Sequence, residues 1–469
     1  MASDIYLNTE SLIAPAIRRV ENGVRSKFQV RGTPIEKWNI VEWMRKHQVV
    51  GLSMAVINNG EIEWAQGYGC LKAGSSAPVT ASTSFQAGCI SKTIAAVVAL
   101  QLVRRGLLDL DEDVNWKLKS WKLHENEHTA VEKVSVRRLL SHKAGLNVYG
   151  FNSGYPDGGP IPSLLELLDG LEPAKTGAVR VDTIPGSRWQ YSSGGYIILQ
   201  QLIEDVTGKP FAAVAQDEVF GPLNMISSSF APQPPSTAAS GHGADHSPIE
   251  GGWQHYPDSA ASGLWTSAMD LSRFLVILQQ ALANPAVTSQ LDGQIARQML
   301  ALEAKDWGLG IRVRGAGDDL CFEHGGRTRG YRSFMFGYAS RGQGVVIMTN
   351  SDGGGGNFSG GLLRSLAEEY QWPDFNVCEI LPADQGLYTR LIGDYDLGGG
   401  TLASVRVEDG RLFGTPYGRK AELLPLSPTE FLYADGLRIR FEHDALGQVA
   451  ALVLEDGTRA NKTNLNVKS

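Results

Sequence analysis

Cysteine is scarce in this chain: four in 469 residues, at Cys70, Cys89, Cys321 and Cys378. No two of them form a C-x-x-C pair, which removes the usual zinc and dithiol motifs. Positive charge is in deficit. The formal net charge is -7 and no lysine/arginine cluster offsets it, so neither nucleic acid nor an anionic membrane is expected as a partner. No apolar run reaches the length of a bilayer-spanning helix. The opening Met-Ala-Ser-Asp-Ile-Tyr-Leu-Asn lacks the basic start and apolar core of a signal peptide. As it reads, the chain is expected to be soluble and cytoplasmic, or periplasmic or secreted if a leader has been removed. Two motifs of other enzyme classes are missing as well. There is no G-x-S-x-G, which disfavours an α/β-hydrolase. The Gly353–Gly356 run follows a strand without the G-K-[ST] of a phosphate loop and reads as plain loop.

What is present is globular. Hydrophobic residues make up 42% and charged residues 20%, enough apolar material for a full core. The length suggests two or three domains. Asn59-Gly60, between the apolar stretches 51–57 and 61–68, predicts a hairpin. An unbroken helical run from Ile90 to Val103 closes at Arg105-Gly106 with a basic last turn and a glycine stop. Further helices are predicted over 12–22, 35–47, 134–140, 197–207 and 362–370, and strands over 307–313, 330–338 and 343–349. Residues 147–162 must be loop, with Tyr149, Phe151 and Tyr155 as candidates to line a cleft. Beyond about residue 380 the texture changes to short alternating strands, punctuated by Asp-Gly at 409–410, 435–436 and 456–457. That pattern reads as a small all-β barrel or sandwich. The expected division is an N-terminal helical extension over 1–40, a main domain over 41–378 and a β domain over 379–469.

The stretch Phe85-Gln-Ala-Gly-Cys89-Ile-Ser-Lys92 organises the rest. Cys89 stands at the entry to the long helix, where the helix dipole is positive. Lys92 follows three positions later, on the same helical face, and a nearby ammonium favours thiolate over thiol. A packed, inert cysteine is the plain alternative. Two distant features make the reactive reading cohere. One is Tyr191-Ser192-Ser193, a tyrosine at a turn before a helix. The other is His324-Gly325-Gly326, just ahead of a strand. A nucleophile needs a base, a leaving-group acid and an oxyanion site. Lys92 and Tyr191 can share proton transfer if Lys92 stays cationic and lowers the Tyr191 pKa, and His324 adds a polar or relay group.

In this set of motifs the chain resembles the serine β-lactamase/penicillin-binding-protein-like family, in its class C, CubicO-type branch. Cys89-Ile-Ser-Lys92 stands where that family has S-x-x-K, Tyr191-Ser-Ser193 where it has Y-x-N or Y-x-S, and His324-Gly-Gly326 where it has K-T-G or H-x-G. Supporting stretches are Leu139-Leu-Ser-His-Lys-Ala-Gly145, Ile184-Pro-Gly-Ser187 and Ala261-Ser-Gly-Leu-Trp-Thr-Ser267, and the resemblance covers about residues 40 to 375. It implies an α+β fold, an antiparallel sheet flanked by helices with an all-α subdomain, and a C-terminal lipocalin-like β-barrel. It also implies acylation at Cys89, a Lys92/Tyr191 proton-transfer pair and His324 on the strand facing the cleft. The backbone N–H groups of Cys89 and Arg327 would form the oxyanion hole. Ser193, Gly325, Gly326, Arg327 and Tyr149 are the candidate substrate contacts, and no cofactor or metal is called for.

The family nucleophile is Ser, and here the position holds Cys89. Ser91 cannot take over, because it adjoins Lys92 and faces elsewhere. A natural cysteine enzyme, a Ser→Cys variant of a hydrolase and a binding protein on a retained scaffold are all compatible with one sequence. The expected function is acyl transfer onto Cys89 from a small ester, amide or peptide, ending in hydrolysis or transacylation. A thioester is receptive to amines, which favours the second outcome relative to a serine ester. Of the remaining polar candidates, His142 is read as bracing a helix end, and His242-Gly-Ala-Asp245-His246 as a loop without a metal-site pattern. Arg327 and Arg329 are candidate carboxylate binders. Oligomeric state is not legible.

Overall fold

The structure is a computed structural model. It describes residues 13–149, 154–284, 291–304, 306–398, 401–415, 420–433, 437–454 and 457–463. The chain forms two compact units. One comprises Met1–Gly23 with Trp38–Leu362, the other Val24–Lys37 with Leu363–Ser469. Residues 24–37 join the second unit through a short parallel pairing of Phe28–Val30 with Cys378–Ile380, whereas the sequence placed all of 1–40 in one extension. Phe151 lies outside the described residues.

The first unit is built on a six-stranded antiparallel sheet. Its strands are β1 (Gly51–Asn58), β2 (Glu61–Gly69), β3 (Arg312–Arg314), β4 (Cys321–Thr328), β5 (Tyr331–Tyr338) and β6 (Gly344–Thr349), in the spatial order β2-β1-β6-β5-β4-β3. Asn59 and Gly60, at φ of 53° and 75°, turn β1 into β2 as a two-residue hairpin loop. β1 is buried along nearly its whole length and β6 throughout, as expected for central strands covered on both faces. His324 sits inside β4 rather than ahead of a strand. The strand expected over 307–313 shrinks to β3, because Gly310 takes a left-handed turn at φ +78°.

Helix α1 (Ser91–Arg104) is predominantly apolar, and every residue from Ser91 to Leu102 is buried. A helix of that kind belongs in a core rather than on a surface. It packs against α2 (Gly194–Thr207) and the short Ser259–Ser262 helix, while α3 (Ala268–Ala283) covers β1 and β6. Among the described residues no helix is long and apolar enough to cross a membrane.

In the second unit, eight strands from Gly393–Gly398 to Arg459–Lys462 close into an antiparallel barrel. Asp409-Gly410, at φ of 48° and 75°, makes one of its hairpin turns. Phe431, Phe441 and Tyr395 belong to its buried cluster, with ring centroids 5.4–5.8 Å apart.

Candidate active site

Cys89 is held by backbone fit. Ser84–Gln86 pairs with Trp265–Ser267, and the Ala87 amide donates to the Leu264 carbonyl at 2.8 Å. A single 3-10 turn, Gly88–Ile90, then leads into α1 and carries Cys89, which is partly exposed. Gly88 has φ +55°, and a Cβ there would lie 2.5 Å from the Arg327 backbone nitrogen. Gly326 carries the matching constraint, since a Cβ on it would overlap the Ala87 carbonyl oxygen. Two glycines therefore let β4 approach the Cys89 turn backbone to backbone. The edge of β4 is open for this contact because β3 pairs only with residues 321–323. Ser333 on β5 adds a hydroxyl bond to the Ala87 carbonyl at 2.8 Å.

Ser91 points into the structure, as expected. Its hydroxyl donates to the Gly88 carbonyl at 2.5 Å and accepts the Leu264 amide at 3.0 Å. Lys92 is fully buried. Its Nζ donates to the Ala261 carbonyl at 2.9 Å and lies 5.2 and 5.7 Å from the ring centroids of Tyr191 and Tyr196.

Tyr191 is held by rings. It stacks on His142 with centroids 4.2 Å apart and meets Trp307 edge-on at 5.8 Å. Trp307 in turn touches His142, His324 and Trp189 at 5.1, 5.5 and 5.7 Å. The Tyr191 hydroxyl stands near the Cys89 sulfur, and the two are electrostatically coupled. Burial, then the sulfur beside it, pushes the Tyr191 hydroxyl well above its ordinary pKa. This reverses the expected lowering: the resting group is a phenol, because burial and the adjacent sulfur both disfavour its charged form. His324 Nδ1 donates to the Gly325 carbonyl at 2.7 Å, and burial first, then Lys92, holds its pKa down to about 4. His142 is pushed in the same direction by burial, Lys92 and His324. Both imidazoles are neutral near pH 7.

A cavity of about 410 Å³ opens on this arrangement, and Cys89, Tyr191, His324, Gly325, Gly326 and Arg327 all line it. Lys92 lies behind that surface. Three expected contacts fall elsewhere. Tyr149 is half exposed and its hydroxyl donates to Asp182 at 2.8 Å. Ser193 is buried at the start of α2, where its carbonyl accepts from Tyr196 and Ile197. Arg329 does not line the cavity, and its amide donates to the Tyr256 hydroxyl. Tyr155 is buried and accepts the Lys175 amide. His242 uses both ring nitrogens on backbone, the Ala73 amide and the Asn350 carbonyl.

Arg332 and Ser333 were not singled out from the sequence, and the Gly353–Gly356 run was read as plain loop; Arg332, Ser333 and Gly354–Gly356 line the cavity, and Arg332 pairs with Asp352 at 2.7 Å. Trp307 organises the ring cluster. A tryptophan opening a Trp-Gly-Leu-Gly run was the available signal, since glycines on both sides of Leu309 deny it an ordinary strand.

Comparison with known proteins shows the family and the fold. The Beta-lactamase family model matches residues 37–367. The chain is 25% identical over 447 residues to Penicillin-binding protein 4* of Bacillus subtilis (strain 168), covering 88% of this chain and 94% of that protein. It is 26% identical over 310 residues to Esterase EstB of Burkholderia gladioli, covering 58% and 74% respectively. In fold it is similar to the octameric penicillin-binding protein homologue from Pyrococcus abyssi, with a TM-score of 0.63 at 22% identity over 90% of this chain and 98% of that one.

Proposed function

This chain belongs to the Beta-lactamase family, a hydrolase family, and from that premise we propose that it is an acyl-transfer enzyme working through a covalent thioester on Cys89. The observation that carries the reading is the convergence of Cys89, Tyr191 and His324 on one cavity walled by Gly326 and Arg327. Cys89 attacks, as its thiolate, the acyl carbon of a small ester, amide or peptide. The carbonyl oxygen takes up the charge against the backbone N–H groups of Cys89 and Arg327. As charge leaves sulfur, the Tyr191 hydroxyl gives its proton to the departing alcohol or amine. Lys92 supports the transient phenolate. Water or an amine then attacks the thioester, returns a proton to Tyr191 and restores the thiolate.

The raised Tyr191 pKa fits this order of events. A serine must lose its proton to the tyrosine during attack, so a poorly acidic phenol is a handicap there. A thiol is far more acidic than a phenol, and the phenol then serves as the acid. The relatives that carry esterase and penicillin-binding-protein names point to ester or amide substrates for this chain as well.

Intact mass after incubation with p-nitrophenyl acetate tests the reading. An acetyl adduct is expected in the native chain and absent in Cys89→Ala. The absence of any adduct or turnover with ester or thioester donors sinks it and favours a binding role. Product ratios of hydrolysis to aminolysis, compared with Cys89→Ser, separate hydrolase from transacylase.

A further inference from the structure

Helix Val136–Leu140 ends at His142 in a left-handed conformation, φ +59°. Glycine is the usual residue at such a helix exit, and an L-residue there is strained. A histidine with its ring buried is an expensive choice. Its Nδ1 accepts the Ser192 amide at 3.1 Å, so the ring proton is on Nε2, which is buried without a hydrogen-bond partner. That orphan donor adds a desolvation cost. Two costs at one residue call for a compensating role.

The role is visible in what His142 touches. Its carbonyl accepts the Gln190 amide at 2.8 Å, its ring lies on the Tyr191 ring with centroids 4.2 Å apart, and its Nδ1 takes the Ser192 amide at 3.1 Å. Three consecutive residues are gripped by three parts of one side chain and its backbone. Residues 188–192 have no helix or strand of their own, so this grip decides where the Tyr191 hydroxyl stands relative to Cys89. We infer that His142 is the positioning residue for Tyr191, acting chiefly through the Nδ1 acceptor that holds the Ser192 amide, with the ring contact secondary. This rests on the proton-transfer role proposed for Tyr191. Protein motion at that hydroxyl is costly, since about 1 Å of misplacement can cost two orders of magnitude in rate.

The test uses p-nitrophenyl acetate turnover by the full chain. His142→Asn keeps an acceptor at the Nδ1 position and tolerates the left-handed backbone. His142→Gln carries the same amide one bond further out. The expected result is that Asn retains at least a third of kcat, while Gln loses at least tenfold with KM changed less than threefold. In a Tyr191→Phe background the Gln change is expected to cost less than twofold further, because the hydroxyl it positioned is gone. If Gln does not fold, His142→Gly takes its place: it relieves the backbone and removes the grip, so a tenfold loss is again expected. Equal rates for Asn and Gln, wild-type rates for Gly, or a full loss persisting beside Tyr191→Phe each overturn the inference. If Tyr191→Phe alone turns over at the wild-type rate, the proton-transfer reading fails as well. A slow Tyr191→Phe with indistinguishable Asn and Gln variants sinks only the His142 assignment.

Discussion

The two walls of the site are held by different means. On one side, Cys89 is fixed by backbone pressed on backbone, with Gly88 and Gly326 removing the Cβ atoms that would separate Ala87 and Arg327. On the other, Tyr191 is fixed by side chains, chiefly the rings of His142 and Trp307. The first wall is insensitive to pH and intolerant of one added methyl group. The second contains titratable rings and should yield gradually. Backbone fit holds the proposed nucleophile and oxyanion donors in a common frame, whereas ring packing holds the proposed acid.

The largest expected effect breaks the first wall. Gly326→Ala drives a methyl into the Ala87 carbonyl and displaces the Arg327 amide. Losing one oxyanion donor typically costs about 10²–10³ in kcat, so p-nitrophenyl acetate turnover should fall by at least that much. A variant within tenfold of wild type would show that the two backbones are not in the contact described.

The same difference explains what could be read in advance. Cys89, Lys92, Tyr191 and His324 were legible because local chemistry and motif order identify them, and Gly326 because its motif names it. The hairpin 51–69 and most barrel strands were legible from Asn-Gly and Asp-Gly turns and alternation. Arg332 and the cavity-lining place of Gly354–Gly356 were not, since they reach the cavity through tertiary packing, and neither was Trp307, which stands behind it and meets Tyr191 edge-on. The sign of the Tyr191 shift was missed for a related reason: burial is a property of the fold, and it is the first cause of the upward shift.

The next effect acts on the second wall through pH. His324 titrates near 4 in the folded chain, against about 6.5 when unfolded. Between those values the unfolded state binds more protons, so stability falls as pH is lowered through that window. The groups facing His324 electrostatically are Lys92 and His142, and His142 is shifted in the same direction. His324 alone should cost roughly 3 kcal/mol across the window, at about 1.4 kcal/mol per pH unit. Urea unfolding at pH 7 and pH 4.5 checks it. His324→Gln should lose less stability than wild type over that interval, and an identical loss in both removes His324 as the cause.

Trp307→Leu sharpens the same wall without touching charge. Trp307 is buried and meets four rings. Leucine leaves space beside Tyr191, and a fall in kcat of about tenfold is expected, with KM little changed, since the hydroxyl loses alignment and not its chemistry. A change confined to KM would move Trp307 from holding Tyr191 to contacting substrate.

The smallest effect comes from the neighbour of the most sensitive glycine. Gly325 and Gly326 share one motif, yet a Cβ on Gly325 meets nothing nearer than the Ser333 carbonyl at 4.0 Å. Alternation along β4 turns residue 326 into the protein and 325 outward. Gly325→Ala should therefore fold normally and turn over a small ester within twofold of wild type, beside a loss of at least a hundredfold for Gly326→Ala. Gly325 lines the cavity, so its missing side chain matters only where substrate passes over it. If the alanine variant handles p-nitrophenyl acetate normally but slows a long-chain ester tenfold, the substrate's extension crosses β4 at Gly325. If it slows both equally, the restriction on this strand lies in backbone geometry at both glycines, and the contrast drawn between them fails.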